Sequence, residues 1–422
     1  MTGARVRAAL DGLPSAELPA YVYDLAGLAG HAAAVRAALP TAVELYYAAK
    51  ANPEPPLLAA LAPHVDGFEV ASGGELAHVA REIPTRPIAF GGPGKTPAEI
   101  RAALDRGVSR FHVESRHELR VLAHLSAGRA EPAQVLLRFN PAVPERLPDS
   151  AALAMGGGPS PFGMDHDDTR AALRALTDGS TPQLALAGMH AHVASGLPAP
   201  ELAGVAEAVA AQAADLARRH GARLRELNVG GGMHVDYGDP GARFDWAGYG
   251  AALARLARAH PGLRLRIEPG RALTAYCGWY VTEVLDVKES RGTRFAVLRG
   301  GTHHLRTPAT RGHDQPCAVL PVREWPHPWP RPGCGPGPVT FVGQLCTPKD
   351  VLARAVPVEG VRAGDRVAFA MAGAYAWNIS HHDFLMHPHP SVHFLDAPAG
   401  RVTRTGTPST GAGSGSRAGD RN

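Results

Sequence analysis

The chain has 422 residues and a formal net charge of +4, with 43 Lys+Arg against 39 Asp+Glu. No dense basic block appears, so a nucleic-acid surface is not indicated. Four cysteines, at 277, 317, 334 and 346, show neither a CxxC pair nor a framework spacing, which favours a reduced, cytoplasmic protein. No run reaches transmembrane length, and the first thirty residues lack the basic start and apolar stretch of an export signal.

Residues 1–18 read as a frayed leader. Ala20-Tyr21-Val22-Tyr23-Asp24 carries a short strand signal, followed by a helical pattern from Leu25 to Leu39 that ends at Pro40. A unit then repeats: a short apolar run, a polar or glycine-containing turn, and an Ala- and Leu-rich amphipathic segment. The runs are Val43–Ala49, Gly67–Ala71, Ile88–Phe90, Arg110–Val113, Val135–Phe139, Leu186–Val193, Glu226–Val229 and Leu263–Ile267. Eight strands with helical spacers are the count of a (β/α)₈ barrel. A Pro/Gly-rich loop, Met155 to Gly163, interrupts the repeat. After Arg271 the strand-like pieces Val281–Val287, Phe295–Leu298, Val339–Val342, Ala355–Val358 and Arg366–Phe369 have no helices between them, so this half reads as a β domain. Pro321 to Pro338, dense in Pro, Trp and Gly, reads as an exposed loop, and 397–422 as a disordered tail.

Chemistry in such a barrel gathers at the carboxyl ends of the strands. Lys50 stands there in Tyr47-Ala48-Ala49-Lys50-Ala51-Asn52, where an ammonium titrates easily and suits Schiff-base chemistry; a surface lysine capping a strand fits the same residues. Glu69 lies in strand two. His190 and His192 end strand six in Met189-His190-Ala191-His192-Val193-Ala194-Ser195-Gly196. Gly230-Gly231-Gly232 after strand seven would let backbone amides approach a phosphate, with Arg271 adding charge, although a glycine run is also simply a turn. Glu268, ending strand eight, could hold a heteroaromatic nitrogen protonated or pair with Arg271. A flat imidazole such as His192 could stack on a planar cofactor. An imine-forming lysine, a phosphate cradle, a stacking ring and a carboxylate for a ring nitrogen together meet the requirements of pyridoxal 5'-phosphate (PLP).

From Tyr21 to Phe394 these motifs resemble the fold-type III PLP-dependent decarboxylases, the family of diaminopimelate, ornithine and arginine decarboxylases. The resemblance implies an N-terminal segment (1–24) contributing to the β domain, a PLP-binding barrel (25–272), a C-terminal β domain (273–396) and a homodimer with shared active sites. It also implies residue roles. Lys50 would carry the cofactor as an imine and His192 would stack on its ring. Ser195, Gly230, Gly231, Gly232 and Arg271 would contact its phosphate, Glu268 its ring nitrogen, and Tyr375 would close over the phosphate. Glu69 occupies a position where ornithine-type enzymes have Asp. Cys346, in Gly343-Gln344-Leu345-Cys346-Thr347-Pro348-Lys349-Asp350, resembles the general acid supplied by the second subunit.

Thr347 stands where decarboxylases of diamino substrates carry an acidic residue. The stretches Gly300 to Arg306 and Trp377 to Pro390 are similar to a branch that decarboxylates a citryl-amino-acid conjugate in siderophore biosynthesis. His190, His303, His304, Arg306, Thr347 and Asp350 are the candidate substrate contacts on that reading. Diaminopimelate decarboxylation, a fold-type III racemase and a non-catalytic PLP carrier are the alternatives; a racemase of this class sets an arginine against the ring nitrogen, where this chain has Glu268. Closely spaced His387, His389 and His393 raise zinc, but proline follows two of them and no cysteine is near, so no metal is expected.

Overall fold

The structure is a computed structural model that describes residues 3–108, 110–142, 153–154, 156–308, 312–395 and 402–405. A closed barrel runs in the order Val43–Ala48, Gly67–Val70, Ile88–Phe90, Arg110–Val113, Ala133–Arg138, Leu184–His190, Glu226–Asn228 and Arg264–Ile267, the last pairing with the first. Every pairing is parallel. These are the eight expected strands, because each apolar run is bounded by residues that start or stop a helix. Ser72, Thr96 and Ser115 turn the chain from strand to helix, their hydroxyls accepting from the amides of Glu75, Glu99 and Glu118. No described helix is long and apolar enough to cross a membrane.

The second half is a nine-stranded sheet. Its central ribbon, Gly278–Ser290, pairs antiparallel with Ala20–Asp24 from the other end of the chain, and that strand pairs in parallel with Ser391–Leu395. The amino-terminal strand thus belongs to the β domain. Three strands of this sheet escaped the sequence reading, Cys317–Leu320, Ser391–Leu395 and Val402–Thr405, each only a few residues long.

Two expectations are corrected and a third is refined. Residues 1–18 are not frayed as a whole: Ala4–Gly12 is a helix with Val6 and Leu10 buried. Its terminal carbonyls, which have no partner within the helix, accept from the Arg366 guanidinium, at 2.8 Å for Leu10 and 2.9 Å for Asp11. The loop 321–338 is exposed along most of its length, as expected, and is held in place where Arg331 reaches Asp365 at 3.0 Å and Gly333–Cys334 pairs with Val361–Arg362. Within the stretch expected to be disordered, Val402–Thr405 forms a strand against Ser391–Leu395; the rest of 397–422 lies outside the described residues. If the first helix is a packed element, Leu10→Ala will cost about 2–5 kcal/mol, as truncation of a buried leucine does. A denaturant melt checks this; a midpoint unchanged from wild type would show the helix to be dispensable.

Candidate active site

Side chains alternate along a strand, and in this barrel many of the inward positions are polar, whereas bulky apolar residues usually fill such a core. The lower layer is ionic. Arg266, fully buried, donates to Glu44 at 2.5 Å and to Glu226 at 2.7 Å and lies over the Tyr46 ring, while Arg110 reaches Glu226 at 3.1 Å. A buried guanidinium is tolerable only with such pairing. One inward step higher come His112, His190 and Asn228, and above them Glu268.

At the mouth, strand one passes into a short turn, Ala49–Ala51, that presents Lys50. Its ammonium pairs with Glu69 at 2.8 Å. Burial works against the charged form, but the Glu69 carboxylate, with smaller contributions from Tyr375 and Glu268, outweighs it and holds the pKa above the ordinary lysine value. Glu268 shows the opposite pull. Burial first, then repulsion from Glu69, push its carboxyl up to about 7, against the stabilising influence of Arg266, Lys50 and a 2.6 Å hydrogen bond donated by the Asn228 amide. His192 is kept neutral, lowered to about 3 by burial and by the charge of Lys50. Its Nδ1 accepts from the Gly231 amide at 3.1 Å, which fixes the plane of the ring.

The β domain holds the lysine turn from outside the barrel. The Tyr375 amide donates to Ala51 at 2.8 Å, the Asn378 side chain to the Lys50 carbonyl at 2.6 Å, and the Asn52 side chain to Gly373 at 3.0 Å. Tyr375 has φ +49°, a conformation costly for a residue with a side chain, and its ring faces the Arg271 guanidinium at 4.5 Å.

These residues fit PLP. A Cβ on Gly231 would lie 2.5 Å from the Glu268 carbonyl oxygen, so only glycine lets this backbone pass beside strand eight; Gly232 has φ +95° and sits against Ser195. The Gly230 and Gly231 amides, expected to cradle a phosphate, are instead taken by Asn228 and His192. The candidate phosphate donors that remain are Gly232, Ser195 and Arg271, the last also donating to the Tyr237 hydroxyl at 2.8 Å.

Several expected substrate contacts lie elsewhere. His190 is buried beneath Glu268, at 3.8 Å from Oε2, and does not open onto the mouth. His303 and His304 are buried in the β domain with ring centroids 3.9 Å apart, His304 bonding the Tyr280 hydroxyl at 3.0 Å. Asp350 is a staple: its carboxylate accepts from the Thr302 amide and hydroxyl and from the Leu345 amide, joining two loops. Cys346 and Arg306 are exposed and Thr347 is half-buried. The three spaced histidines part company. His387 meets Gln344, His389 meets Asp383, and buried His393 meets Ser391 and Glu17. Sequence reasoning missed His112 and Asn228. Each alternates with apolar residues inside a short strand, and the signal that could have found them is their inward register relative to Glu268.

The description "Pyridoxal-dependent decarboxylase, pyridoxal binding domain" matches residues 25–275. The chain is 39% identical to a Staphylococcus aureus 2-[(L-alanin-3-ylcarbamoyl)methyl]-2-hydroxybutanedioate decarboxylase, over 89% of this chain and 93% of that protein. It is 35% identical to a diaminopimelate decarboxylase of Actinosynnema pretiosum, over 87% of this chain and 83% of that one. Its fold superposes on Helicobacter pylori diaminopimelate decarboxylase with a TM-score of 0.81 at 23% identity, covering 94% and 96% of the two chains. With a lysine and a buried carboxylate at one barrel mouth and this likeness along most of its length, the chain belongs to the fold-type III PLP-dependent decarboxylases.

Proposed function

We propose that the chain removes the α-carboxylate of an amino acid whose side chain bears a hydroxy-polycarboxylate joined through an amide, a citryl-diamino-acid intermediate of siderophore biosynthesis. The observation that carries this substrate is the loop from Gly343 to Asp350. A free diamino acid needs a carboxylate to receive its distal ammonium. The loop exposes Lys349 and half-exposes Thr347, and its one carboxylate, Asp350, is buried and fully bonded. Exposed Arg306 offers positive charge instead. The staphylococcal relative's name describes a substrate of this kind.

Bound at Lys50, PLP supplies the electron sink that takes up the bonding pair when CO₂ leaves. Lys50 Nζ, from which Glu69 accepts a hydrogen bond, would be the amine that holds it. Glu268 would keep a proton on its ring nitrogen and His192 would cover its ring, and Cys346 from a second copy of the chain would return a proton to Cα. We infer the homodimer from Ile379, Phe384, Leu385 and Met386, which are exposed on the segment whose Asn378 holds the Lys50 carbonyl; a second copy of the chain would cover them.

CO₂ release from the citrate amide of an L-diamino acid, assayed beside diaminopimelate, tests the reading. The conjugate is expected to give a kcat/KM about 10²-fold or more higher, since a charged pocket left unpaired discriminates strongly. Faster formation of lysine from diaminopimelate, or stereochemical inversion without CO₂, would overturn it.

A further inference from the structure

His112 and His190 have no part in the chemistry described so far, yet they lie directly under it. Their ring centroids are 4.3 Å apart, and both side chains are essentially buried. His112 Nε2 lies 3.7 Å from Glu268 Oε1 and His190 Nε2 lies 3.8 Å from Oε2, so each imidazole addresses a different oxygen of one carboxylate. His112 Nε2 also touches the amide of Asn228 at 3.4 Å, the same amide that donates to Oε1. His112 Nδ1 and both nitrogens of His190 have no hydrogen-bond partner among the described residues. Leaving three buried polar atoms unpaired is costly, and an apolar pair of the same size would carry no such penalty.

Two chemistries could justify that cost. The first is a metal, because the three side chains bring their ligand atoms within 4.8 Å of one another. The charges argue against it. Lys50 and Arg138 act on both rings, and Lys95 and Arg266 on His112, disfavouring any further positive charge, and Oε1 of Glu268 is already engaged by Asn228. Burial first, and then these cations, lower both imidazoles well below their ordinary range and favour the neutral rings, with His112 and His192 adding to this at His190.

The second chemistry fits all of this. We propose that His112 and His190 are positioning residues that act through Glu268: two neutral imidazoles whose ring dipoles face its two oxygens, orient the carboxylate toward the mouth and keep it ionised despite its burial. The inference rests on the assignment of PLP to this mouth. Burial and Glu69 favour the protonated acid; in the Nε2–H tautomer each ring turns an N–H toward one oxygen and favours the anion, and only the anion holds a proton on a ring nitrogen.

The test is the protein reconstituted with ¹⁵N-labelled pyridoxal phosphate, with the ring-nitrogen resonance followed against pH. In His112→Leu and His190→Leu the proton affinity of that nitrogen is expected to fall about tenfold or more, one pKa unit, with cofactor still attached at Lys50. An unchanged titration in folded leucine variants overturns the inference. Histidine ¹⁵N spectra of the wild-type holoenzyme give a readout that does not depend on variant folding. Both rings should stay neutral down to about pH 5, where an ordinary imidazole is mostly protonated, and should shift when Glu268→Gln is introduced. Cationic rings, rings unmoved by Glu268→Gln, or a stoichiometric metal removed by chelator with loss of the ring-nitrogen proton would each overturn it. A wild-type chain that fails to take up PLP at Lys50 overturns the functional assignment along with this inference; uptake with an unshifted titration overturns the inference alone.

Discussion

Lys50→Ala will abolish the visible absorbance that wild-type protein acquires on mixing with PLP and will lower CO₂ release by at least on the order of 10³-fold, the scale seen when a covalent catalytic group is removed. The argument is geometric. Lys50 Nζ is paired at the mouth with Glu69 at 2.8 Å, and its turn is anchored by backbone and side-chain hydrogen bonds from Tyr375 and Asn378. Truncation at Cβ removes the amine and leaves those anchors in place, so the variant should fold and still bind PLP weakly through Arg271 and Ser195. Equilibrium dialysis separates this outcome from misfolding. Retention of the absorbance by a folded Lys50→Ala chain would remove the basis of the whole assignment.

Glu268→Gln is expected to act on activity and stability in opposite senses. Glutamine cannot ionise, so the ring nitrogen loses the anion that holds its proton, and kcat should drop about 10²–10³-fold, comparable to removing one pre-organised electrostatic contact. Stability moves the other way in the protein without cofactor. The pKa of Glu268 is raised from 4.5 to about 7 by burial and by Glu69, so the unfolded chain gives up this proton first. Below about pH 4.5 the carboxyl is neutral in both states and costs nothing. Through the interval up to about 7 the penalty for holding an ionised group in the fold accumulates, and above it the penalty is complete, at a few kcal/mol by linkage. Glutamine carries no such penalty and can still accept the Asn228 hydrogen bond. The variant should therefore melt higher than wild type at pH 8, with the difference shrinking as pH falls toward 4.5. A melting difference independent of pH would show that Glu268 is not the group responsible.

The barrel was legible in the sequence because its signals are local. Apolar runs such as Ile88–Phe90 and Arg110–Val113 are each followed by a serine, threonine or glycine turn and an amphipathic helix, and neither the period nor the caps depend on distant residues. Lys50, His192 and Glu268 could be placed at one mouth for the same reason: a residue at the carboxyl end of a barrel strand shares a face with every other. The β domain was less legible. Ser391–Leu395 is a strand because Ala20–Asp24, from the far end of the chain, lies beside it in register, and the Ala4–Gly12 helix is held by Arg366.

The class of chemistry was thus legible in the sequence alone, since the candidate reacting groups sit at positions that local pattern assigns. Tertiary structure decided which polar residues reach that chemistry. It buried His303 and His304 in the β domain, turned Asp350 into a staple between loops, spent the Gly230 and Gly231 amides on side chains, and stacked His112 and His190 under Glu268. The physical reason is that a strand residue's face is fixed by register against neighbours far away in the chain, and a single inward step separates a side chain that meets substrate from one that supports the residue that does.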